Sequence, residues 1–434
     1  MRFPTGAHYL PLPPPESTHI REMLADFNVI LEEPFAERPY YDERFIVHGP
    51  AERLLYKGQW QEGLLPGEGA APGDLAEQER FFREMNRLRD LRGKDGRRIF
   101  VVPLVLSSQD PEWTALDQLS FKAWLNQAGY QGEALHWYCD YCCRDDYGAG
   151  YDKVSAWAGL HYFCSRGGQA RNAERGAVLT WPEGLAFLAN RLAARAGLHE
   201  GRRIAGSVYA VTPTRRGVEV KLFALGANGV TTSTILARRA ICAMPLHVAT
   251  RVVPTLHEFG FDAQKHLPEH APWLVSNFLM KHFPTEQPGA PLAWDNVVYR
   301  EPGLGYVVST HQDFRVGPPE RMAFTAYHAL SDRSPVEARQ WLQKASIDEL
   351  LAVAAADLKL AYDWKLAPSV ERVDITVRAH AMAIPRPGFL GNPGIAALRE
   401  ADGPIVFAHA DLSGYSVFEE AAWWGCRAAE KALA

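Results

Sequence analysis

A change of hydrophobic period in the middle of the chain constrains the fold more than any other feature. Strand-like segments with a period of two follow one another at Ser207–Thr212, Gly217–Leu225 and Thr231–Ala237. Glycine-containing turns separate them, as in antiparallel strands joined by hairpins. Further strand candidates lie at 272–283, 294–300, 304–310 and 321–329. Together with the helical segments around them, these strands predict an α/β or mixed α+β fold.

Helical periodicity is found on both sides of these strands. Amphipathic helices are expected at 75–92 and at Leu116–Gly129, and another from Thr180 to about Gly197. Residues 335–362 carry one or two more. The chain closes with a strand, Pro404–His409, a glycine loop and a final helix.

Composition excludes several classes of protein. The chain has 434 residues, 47% of them hydrophobic, which is enough for two or three domains with real cores. A net charge of -5 gives no broad basic field, so nucleic acid is not an expected partner. No run of about 18 apolar residues occurs, so no membrane span is predicted. Met1 is followed by no export signal, which indicates the cytoplasm, or the periplasm if a signal precedes this sequence.

The six cysteines are too few for a disulfide framework in a chain of this length. Cys139-x-x-Cys142-Cys143 is the spacing of a zinc or redox motif. Zinc sites of this kind need a second pair of Cys or His at a suitable distance, and none follows. Buried thiols are therefore predicted, and no metal site.

Aromatic residues are concentrated at 136–163 and next to a predicted hairpin. The first segment contains Trp137, Tyr141, Trp157 and His161, which suit the wall of a pocket for a flat ligand. The alternative is an aromatic core with an ion pair between Arg144 and its acidic neighbours. The hairpin begins near Trp294 and ends at His311, which it would deliver to a cavity, although a lone histidine is more often structural.

Two segments near the end of the chain have the composition of ligand-binding loops. His380–Phe389 contains two prolines and a glycine, which fix either a backbone wall against a ring system or a rigid connection. Residues 406–421 read as a strand, a polar glycine loop and a helix start. The free N–H groups of such a helix favour an electron-rich or anionic group, and strand ends are the usual ligand site of an open α/β sheet.

In this order, these segments resemble the flavin-containing amine oxidase superfamily, which also includes the carotenoid desaturases. The resemblance covers nearly the whole chain from Gly6 onwards, and is strongest at 136–163, 294–297 and the closing strand–loop–helix. It implies a Rossmann-like FAD-binding domain interleaved with a substrate domain that combines a mixed sheet with helices. The implied parts are 1–70 (cofactor-domain remnant and entry to the substrate domain), 71–180 (helical substrate domain), 181–250 (β-rich return to the FAD domain), 251–390 (substrate-domain sheet and helices) and 391–434 (C-terminal FAD-binding strand–loop–helix).

The resemblance also assigns FAD contacts to individual residues. Val208 would meet the adenine, and Ala243, Met244 and Pro245 would form the turn that closes the cofactor strand. His409 and Asp411 fall where the ribityl or pyrophosphate contact is expected, although the family has a glycine where this chain has His409. Val417 and Phe418 would meet the carbonyl edge of the flavin.

The chemistry that the resemblance implies is oxidation of a C–N or C–C bond of a small organic substrate, with hydride passing to the flavin. Lys281 is the candidate for the family's flavin-side lysine, with an exposed strand-end lysine as the alternative. His311 and His380 are the other catalytic candidates. The substrate pocket is assigned to Trp137, Tyr141, Trp157, His161 and Trp294.

The main departure from the family lies at the front of the chain. Family members begin with a strand, Gly-x-Gly-x-x-Gly and a helix, whose glycines let the backbone approach the pyrophosphate. No such unit is present, and Gly67-Glu68-Gly69 is out of register in a loop. We expect a truncated chain, from a late coding start or a cut, in preference to a cofactor-free relative. The rival function is a non-catalytic binding protein that reuses the substrate cavity.

Overall fold

The computed structural model describes residues 1–49, 51–67, 70–198, 200–227, 229–309 and 321–434. The strands are β1 (Tyr9–Pro11), β2 (Ile30–Glu32), β3 (Tyr40–Tyr41), β4 (Glu52–Tyr56), β5 (Gln59–Glu62), β6 (Val178–Thr180), β7 (Ser207–Thr214), β8 (Gly217–Gly226), β9 (Gly229–Ala237), β10 (Ala240–Cys242), β11 (His270–Met280), β12 (Asp295–Val298), β13 (Tyr306–Val308), β14 (Met322–Ala329), β15 (Val370–Ala383) and β16 (Ile405–Phe407).

The helices are α1 (Thr18–Asp26), α2 (Pro72–Asp90), α3 (Pro111–Thr114), α4 (Phe121–Gln127), α5 (Glu133–Tyr147), α6 (Ala156–Ser165), α7 (Ala186–Arg195), α8 (Leu246–Val252), α9 (Ala263–His266), α10 (Pro335–Leu342), α11 (Ile347–Ala354), α12 (Ala356–Tyr362), α13 (Leu366–Ser369), α14 (Pro393–Glu400) and α15 (Phe418–Leu433). Among the described residues, none of these helices has the length and apolar character needed to cross a membrane.

A seven-stranded mixed sheet forms the centre of the molecule. Its strand order is β15-β11-β14-β13-β12-β4-β5, in which β4 and β12 run parallel and the other neighbours run antiparallel. Strands β11 and β14 are buried along almost their whole length, because helices and loops cover both faces. The helices α5 and α6 pack against this sheet through a large core that includes Tyr141, Trp157 and Trp294.

Two smaller sheets lie beside the central one. Strands β7, β8 and β9 form an antiparallel meander, and β10 pairs in parallel with β16. The pair of parallel strands is covered by α8 and α15, with Cys242, Leu246, Phe407 and Trp424 in one core. Because parallel strands end at the same edge, the loops that follow β10 and β16 are brought together.

The predicted fold class is confirmed, and so are the three consecutive strands at 207–237. The expected helix from Thr180 was wrong at its start. Residues 178–180 pair with β1 as β6, and a turn carries the chain to α7 at Ala186. The expected helix at 116–129 is shorter as well, because Ser120 caps a new helix at Phe121.

The segment at 335–362 forms three helices in place of the one or two expected. Ser334 and Ser346 each accept a hydrogen bond from the backbone of a glutamate three residues later, and each glutamate side chain bonds back to the serine. Such capping boxes begin separate helices. The 14-residue strand β15 has no counterpart among the predicted elements.

Candidate functional site: an inner carboxylate cluster and a histidine cluster

Three carboxyl groups meet beside the central sheet, and we call them with their aromatic neighbours the inner cluster. Tyr141 and Asp145 lie one turn apart on α5, so they project from the same face of the helix. Glu52 and Asp295 begin β4 and β12 and are direct register partners in the parallel ladder. Neighbouring residues on parallel strands point to the same side, so these carboxyl groups face the same space.

Aromatic rings surround these carboxyl groups. His8 stacks on Tyr327 with ring centroids 4.6 Å apart, and its centroid is 5.3 Å from that of Trp294. Tyr9 meets Trp294 edge to face at 6.1 Å. Burial lowers the pKa of His8 to about 3, so this imidazole is neutral at physiological pH. The inner cluster therefore consists of His8, Tyr9, Glu52, Tyr141, Asp145, Trp294, Asp295 and Tyr327.

The carboxyl groups of the inner cluster repel one another, and burial adds to this effect at Asp145 and Asp295. Burial and the nearby Asp146 raise the pKa of Asp145 to about 7, against the pull of Arg166. Burial, Glu52 and Asp145 raise the pKa of Asp295 well above its usual value. Neither aspartate forms an ion pair with a basic side chain among the residues that the structure describes; Arg166 pairs with Asp146 and Arg144 with Asp140. Such a site favours a cation, since a positive charge would let both carboxyl groups ionise.

A second group of polar residues lies where β10 and β16 end, and we call it the histidine cluster. Asp411, in a short helical turn after β16, is fully buried and lies 3.1 and 3.0 Å by its two oxygens from Nε2 of His270. Its Oδ2 also accepts the Leu246 N–H at 2.9 Å. The ring of His247 on α8 lies 4.8 Å from that of His270 and stacks on His380 at 4.3 Å, and His409 completes the group.

The histidine cluster is electrostatically balanced around one carboxylate. Burial, with smaller contributions from His270 and His380, lowers the pKa of His247 to about 4. Burial alone would raise the pKa of Asp411, but its contacts with the His270 and His409 rings hold it below its usual range. Asp411 is therefore ionised, and His247 is neutral at physiological pH.

The residues assigned to the cofactor are found around the two parallel strands and at the start of α15. Val208 and Met244 pack against the core of β10 and β16, Pro245 precedes α8, and Ala243 is exposed between them. Val417 precedes α15 and packs against the large core that contains Trp157, whereas Phe418 packs against a different core beside α1.

The predicted ribityl or pyrophosphate contact does not fit a bound FAD. Both oxygens of Asp411 are engaged by His270, one of them also by Leu246, and no part of the residue is exposed. His409 receives the Asp411 N–H on its Nδ1 at 3.1 Å, so this nitrogen is occupied as well. A carboxylate that already accepts hydrogen bonds on both oxygens and has no open surface does not reach a cofactor hydroxyl in this arrangement.

The start of α15 is also occupied by groups of the chain itself. Glu420, fully buried in its first turn, accepts the Leu104 N–H at 2.6 Å, the Ser413 hydroxyl at 2.5 Å and the Tyr415 hydroxyl at 2.9 Å. Burial raises the pKa of the neighbouring Glu419 to about 7. Carboxylates in the first helical turn already complement the helix dipole.

The predicted pocket residues divide into two groups. Tyr141 and Trp294 belong to the inner cluster, and Trp137 stacks on Tyr141 at 5.7 Å and lines an open cavity of about 1230 Å³. Trp157 and His161 stack on each other at 4.9 Å on the other side of the core. His161 bonds to the Val101 carbonyl at 2.9 Å through Nε2 and is neutral, because burial lowers its pKa to about 3.

The two catalytic candidates that the structure describes, Lys281 and His380, do not come together. Lys281 follows β11 and is exposed, with its backbone N–H bonded to the Ser369 carbonyl. His380 on β15 belongs to the histidine cluster, and His311 lies outside the described residues.

Comparison with known proteins gives a fold and no closer relative. No protein-family model and no curated protein matches the sequence. Solved structures do match: wild-type putrescine oxidase bound to putrescine is 16% identical with a TM-score of 0.63, over 99% of this chain and 88% of that one. Cyclohexylamine oxidase from Brevibacterium oxydans is also 16% identical, with a TM-score of 0.62, over 98% and 88%.

The chain has the amine oxidase fold. Its structural neighbours are flavin-containing amine oxidases, and they extend over nearly the whole chain, so the predicted resemblance is confirmed. A triple mutant of putrescine oxidase redesigned for cofactor binding gives a similar match, at 15% identity and a TM-score of 0.62 over 99% of this chain and 87% of that one.

Sequence reasoning missed most of the residues that form the two clusters. Asp145 was considered only as part of a local ion pair, although its i,i+4 spacing from Tyr141 already places both on one helical face. Asp295 was seen only as part of a motif. His247 and His270 gave no signal, because 22 residues of unrelated structure separate them along the chain.

Proposed function

We propose that the chain is an oxidoreductase of the amine oxidase type, and that the inner cluster holds the ammonium group of a small organic amine. One observation carries this proposal: Glu52 and Asp145 both lie near enough to Asp295 to raise its pKa, and neither aspartate forms an ion pair with a basic side chain among the described residues. Mutual repulsion among these three carboxyl groups is unfavourable, and an organic cation would relieve it.

The walls of the inner cluster support the same ligand. The aromatic rings of Tyr9, Trp294 and Tyr327 lie beside these carboxyl groups; rings of this kind attract ammonium groups, and their carbon atoms can accommodate the alkyl part of the ligand. The stacked His8 is neutral and adds no competing positive charge. These features favour oxidation of a C–N bond over a C–C bond, because a hydrocarbon substrate carries no charge that the carboxylates could bind.

The redox group implied by the fold is FAD, the cofactor of the flavin-containing neighbours. The whole-chain likeness supports it, and the saturated Asp411 and His409 argue against the contact assigned to them. We therefore derive no redox step through these two residues. The part that the chain's own residues play is to bind the ammonium group, orient the attached carbon and exclude water from it.

A non-catalytic binding protein is the second candidate, and one observation favours it. Residues assigned to FAD at the end of β16 are bonded to one another, so the amine site is equipped for its ligand while the cofactor site is not. In this case the inner cluster would keep its affinity for amines, and the chain would remain colourless.

The two candidates are separated by titrating the purified chain with FAD and then adding a panel of short alkylamines without oxygen. An oxidoreductase takes up FAD and loses its absorbance near 450 nm when an amine is added. Asp295→Asn should abolish this amine-dependent change and leave FAD uptake intact, and Asp348→Asn, an exposed residue on α11, is the matched control. A chain that binds amines but refuses FAD is a binding protein, and one that binds neither contradicts both.

A further inference from the structure

The histidine cluster contains a ligand set for a divalent transition-metal ion. One ring nitrogen of His247, one of His270 and one carboxylate oxygen of Asp411 all lie within 4.8 Å of one another. Metal–ligand bonds of about 2.0–2.2 Å would place such atoms roughly 3.4 Å apart. Small side-chain rotations are enough to close this difference, since His270 Nε2 already lies 3.0 Å from Asp411.

We propose that this cluster binds a divalent transition-metal ion of the zinc or ferrous class through His247, His270 and Asp411. Two imidazoles and one carboxylate are a ligand set that both ions use, with further positions left open. This inference does not depend on amine binding at the inner cluster. It also explains why Asp411 does not fit the cofactor contact assigned to it.

An orphaned donor or acceptor supports the assignment. The Nδ1 of His247 is buried and has no hydrogen-bond partner among the described residues. A buried polar atom without a partner is unfavourable. A metal ion bound to this nitrogen would give it a partner.

The surroundings of the three ligands are arranged as around a bound metal. The Leu246 N–H fixes the Asp411 carboxylate at 2.9 Å, and the adjacent residue on the same helix is His247. Hydrogen bonds from neighbouring groups orient the side chains that bind a metal.

The remaining two histidines leave the site accessible. His380 stacks on His247 at an interplanar angle of 16°, and it is exposed. His409 keeps about a quarter of its side chain exposed beside Asp411. Water from this exposed side could occupy the remaining positions around a bound ion.

The test is metal binding by the full chain after treatment with a chelator. Calorimetric titration with Zn²⁺, and anaerobically with Fe²⁺, should show one equivalent bound, and Co²⁺ should give visible absorption bands. His247→Gln should weaken binding at least 100-fold. This residue is half buried, and its Nδ1 makes no hydrogen bond, so the variant should fold. Asp411→Asn should do the same while its side-chain oxygen keeps the Leu246 bond.

The matched control is His282→Gln. This exposed histidine lies just beyond the far end of β11 from His270, so metal affinity should not change. The proposal is overturned if none of the three ions binds stoichiometrically, or if His282→Gln weakens binding as much as His247→Gln. It is also overturned if the chain binds FAD through Asp411, which would appear as FAD uptake lost in Asp411→Asn together with no metal binding. Failure of amine binding leaves these outcomes unaffected.

Discussion

Glu52 and Asp295 begin adjacent parallel strands and lie opposite each other in the ladder, so two carboxyl groups enter the inner cluster side by side. Like charges in this position destabilise a sheet. Burial makes the repulsion stronger, and together with Glu52 and Asp145 it raises the pKa of Asp295. The two like charges lower the stability of the fold, and the binding of a cationic ligand would explain why they are present.

Removing one carboxylate from the cluster should weaken the binding of alkylammonium ions. Asp145→Asn and Asp295→Asn keep the size of the side chain and remove its charge, so each should raise the dissociation constant about 10- to 100-fold. Isothermal titration calorimetry measures the effect. The exposed Asp348→Asn should leave the constant unchanged, and equal affinities in all three variants would disprove the assignment.

Ammonium binding should tighten as the pH rises through about 7. Burial and Asp146 raise the pKa of Asp145 to about 7, so this carboxyl group is neutral below that pH and ionised above it. The alkylammonium ligand keeps its charge to about pH 10. Affinity measured between pH 6 and 8 should rise in the wild type and rise less in Asp145→Asn; parallel profiles would contradict the role of this residue.

Asp357 should make the free energy of unfolding decrease with rising pH. It is buried, accepts the Gly305 N–H at 2.8 Å, and has a pKa raised by burial to about 6. Because the folded state holds this proton more tightly than the unfolded chain, stability is lost as the pH rises from about 4 through 6.

The test of this loss is Asp357→Asn, which keeps an acceptor for Gly305 and has no charge to bury. Between pH 4.5 and 7.5 the wild type should lose about 1–3 kcal/mol more than the variant. Urea unfolding at several pH values gives the comparison. A constant difference between the two proteins across this range would show that Asp357 does not titrate on unfolding.

Substituting two glycines at helix ends should distinguish the cost of backbone strain from the cost of a steric clash. Gly129 and Gly148 have φ of 72° and 67°, but an alanine Cβ at Gly129 meets nothing within 4 Å. At Gly148 the Cβ would lie 2.4 Å from the Cβ of Ala271 and 2.7 Å from Trp273 Nε1. Gly129→Ala should cost about 1 kcal/mol, and Gly148→Ala about 2–4 kcal/mol. Thermal unfolding measures both, and equal losses would contradict the close approach of α5 and β11.

Local sequence patterns predicted those elements of the fold that bury only one of their faces. The strands β7 and β8 alternate in the sequence because one face, with Val211, Val218 and Leu222, is buried, whereas β9 is largely exposed and is held by its pairing with β8. Helix α5 showed no clear periodicity, since residues on several of its faces are buried. Strand β15 was missed although Val373, Ile375 and Val377 alternate with polar residues, which is itself a strand pattern.

The candidate sites could be predicted only where their residues are neighbours along the chain. Tyr141 and Trp294 were assigned to a pocket by their aromatic surroundings, and both line the inner cluster. Glu52 and Asp295 are brought together by a parallel pairing that joins segments about 240 residues apart, and no local pattern specifies that pairing. The same holds for His247, His270 and Asp411, which three different elements contribute.

The most direct test of the inner cluster compares an n-alkylammonium ion with the neutral alcohol of the same chain length in one calorimetric experiment. Both ligands bury the same alkyl surface, so their affinities differ only through the charge that Glu52, Asp145 and Asp295 receive. At pH 8 the ammonium ion should bind at least 10-fold more tightly, and Asp295→Asn should remove most of that preference. Equal affinities for the two ligands, or a preference that survives in the variant, would contradict the account.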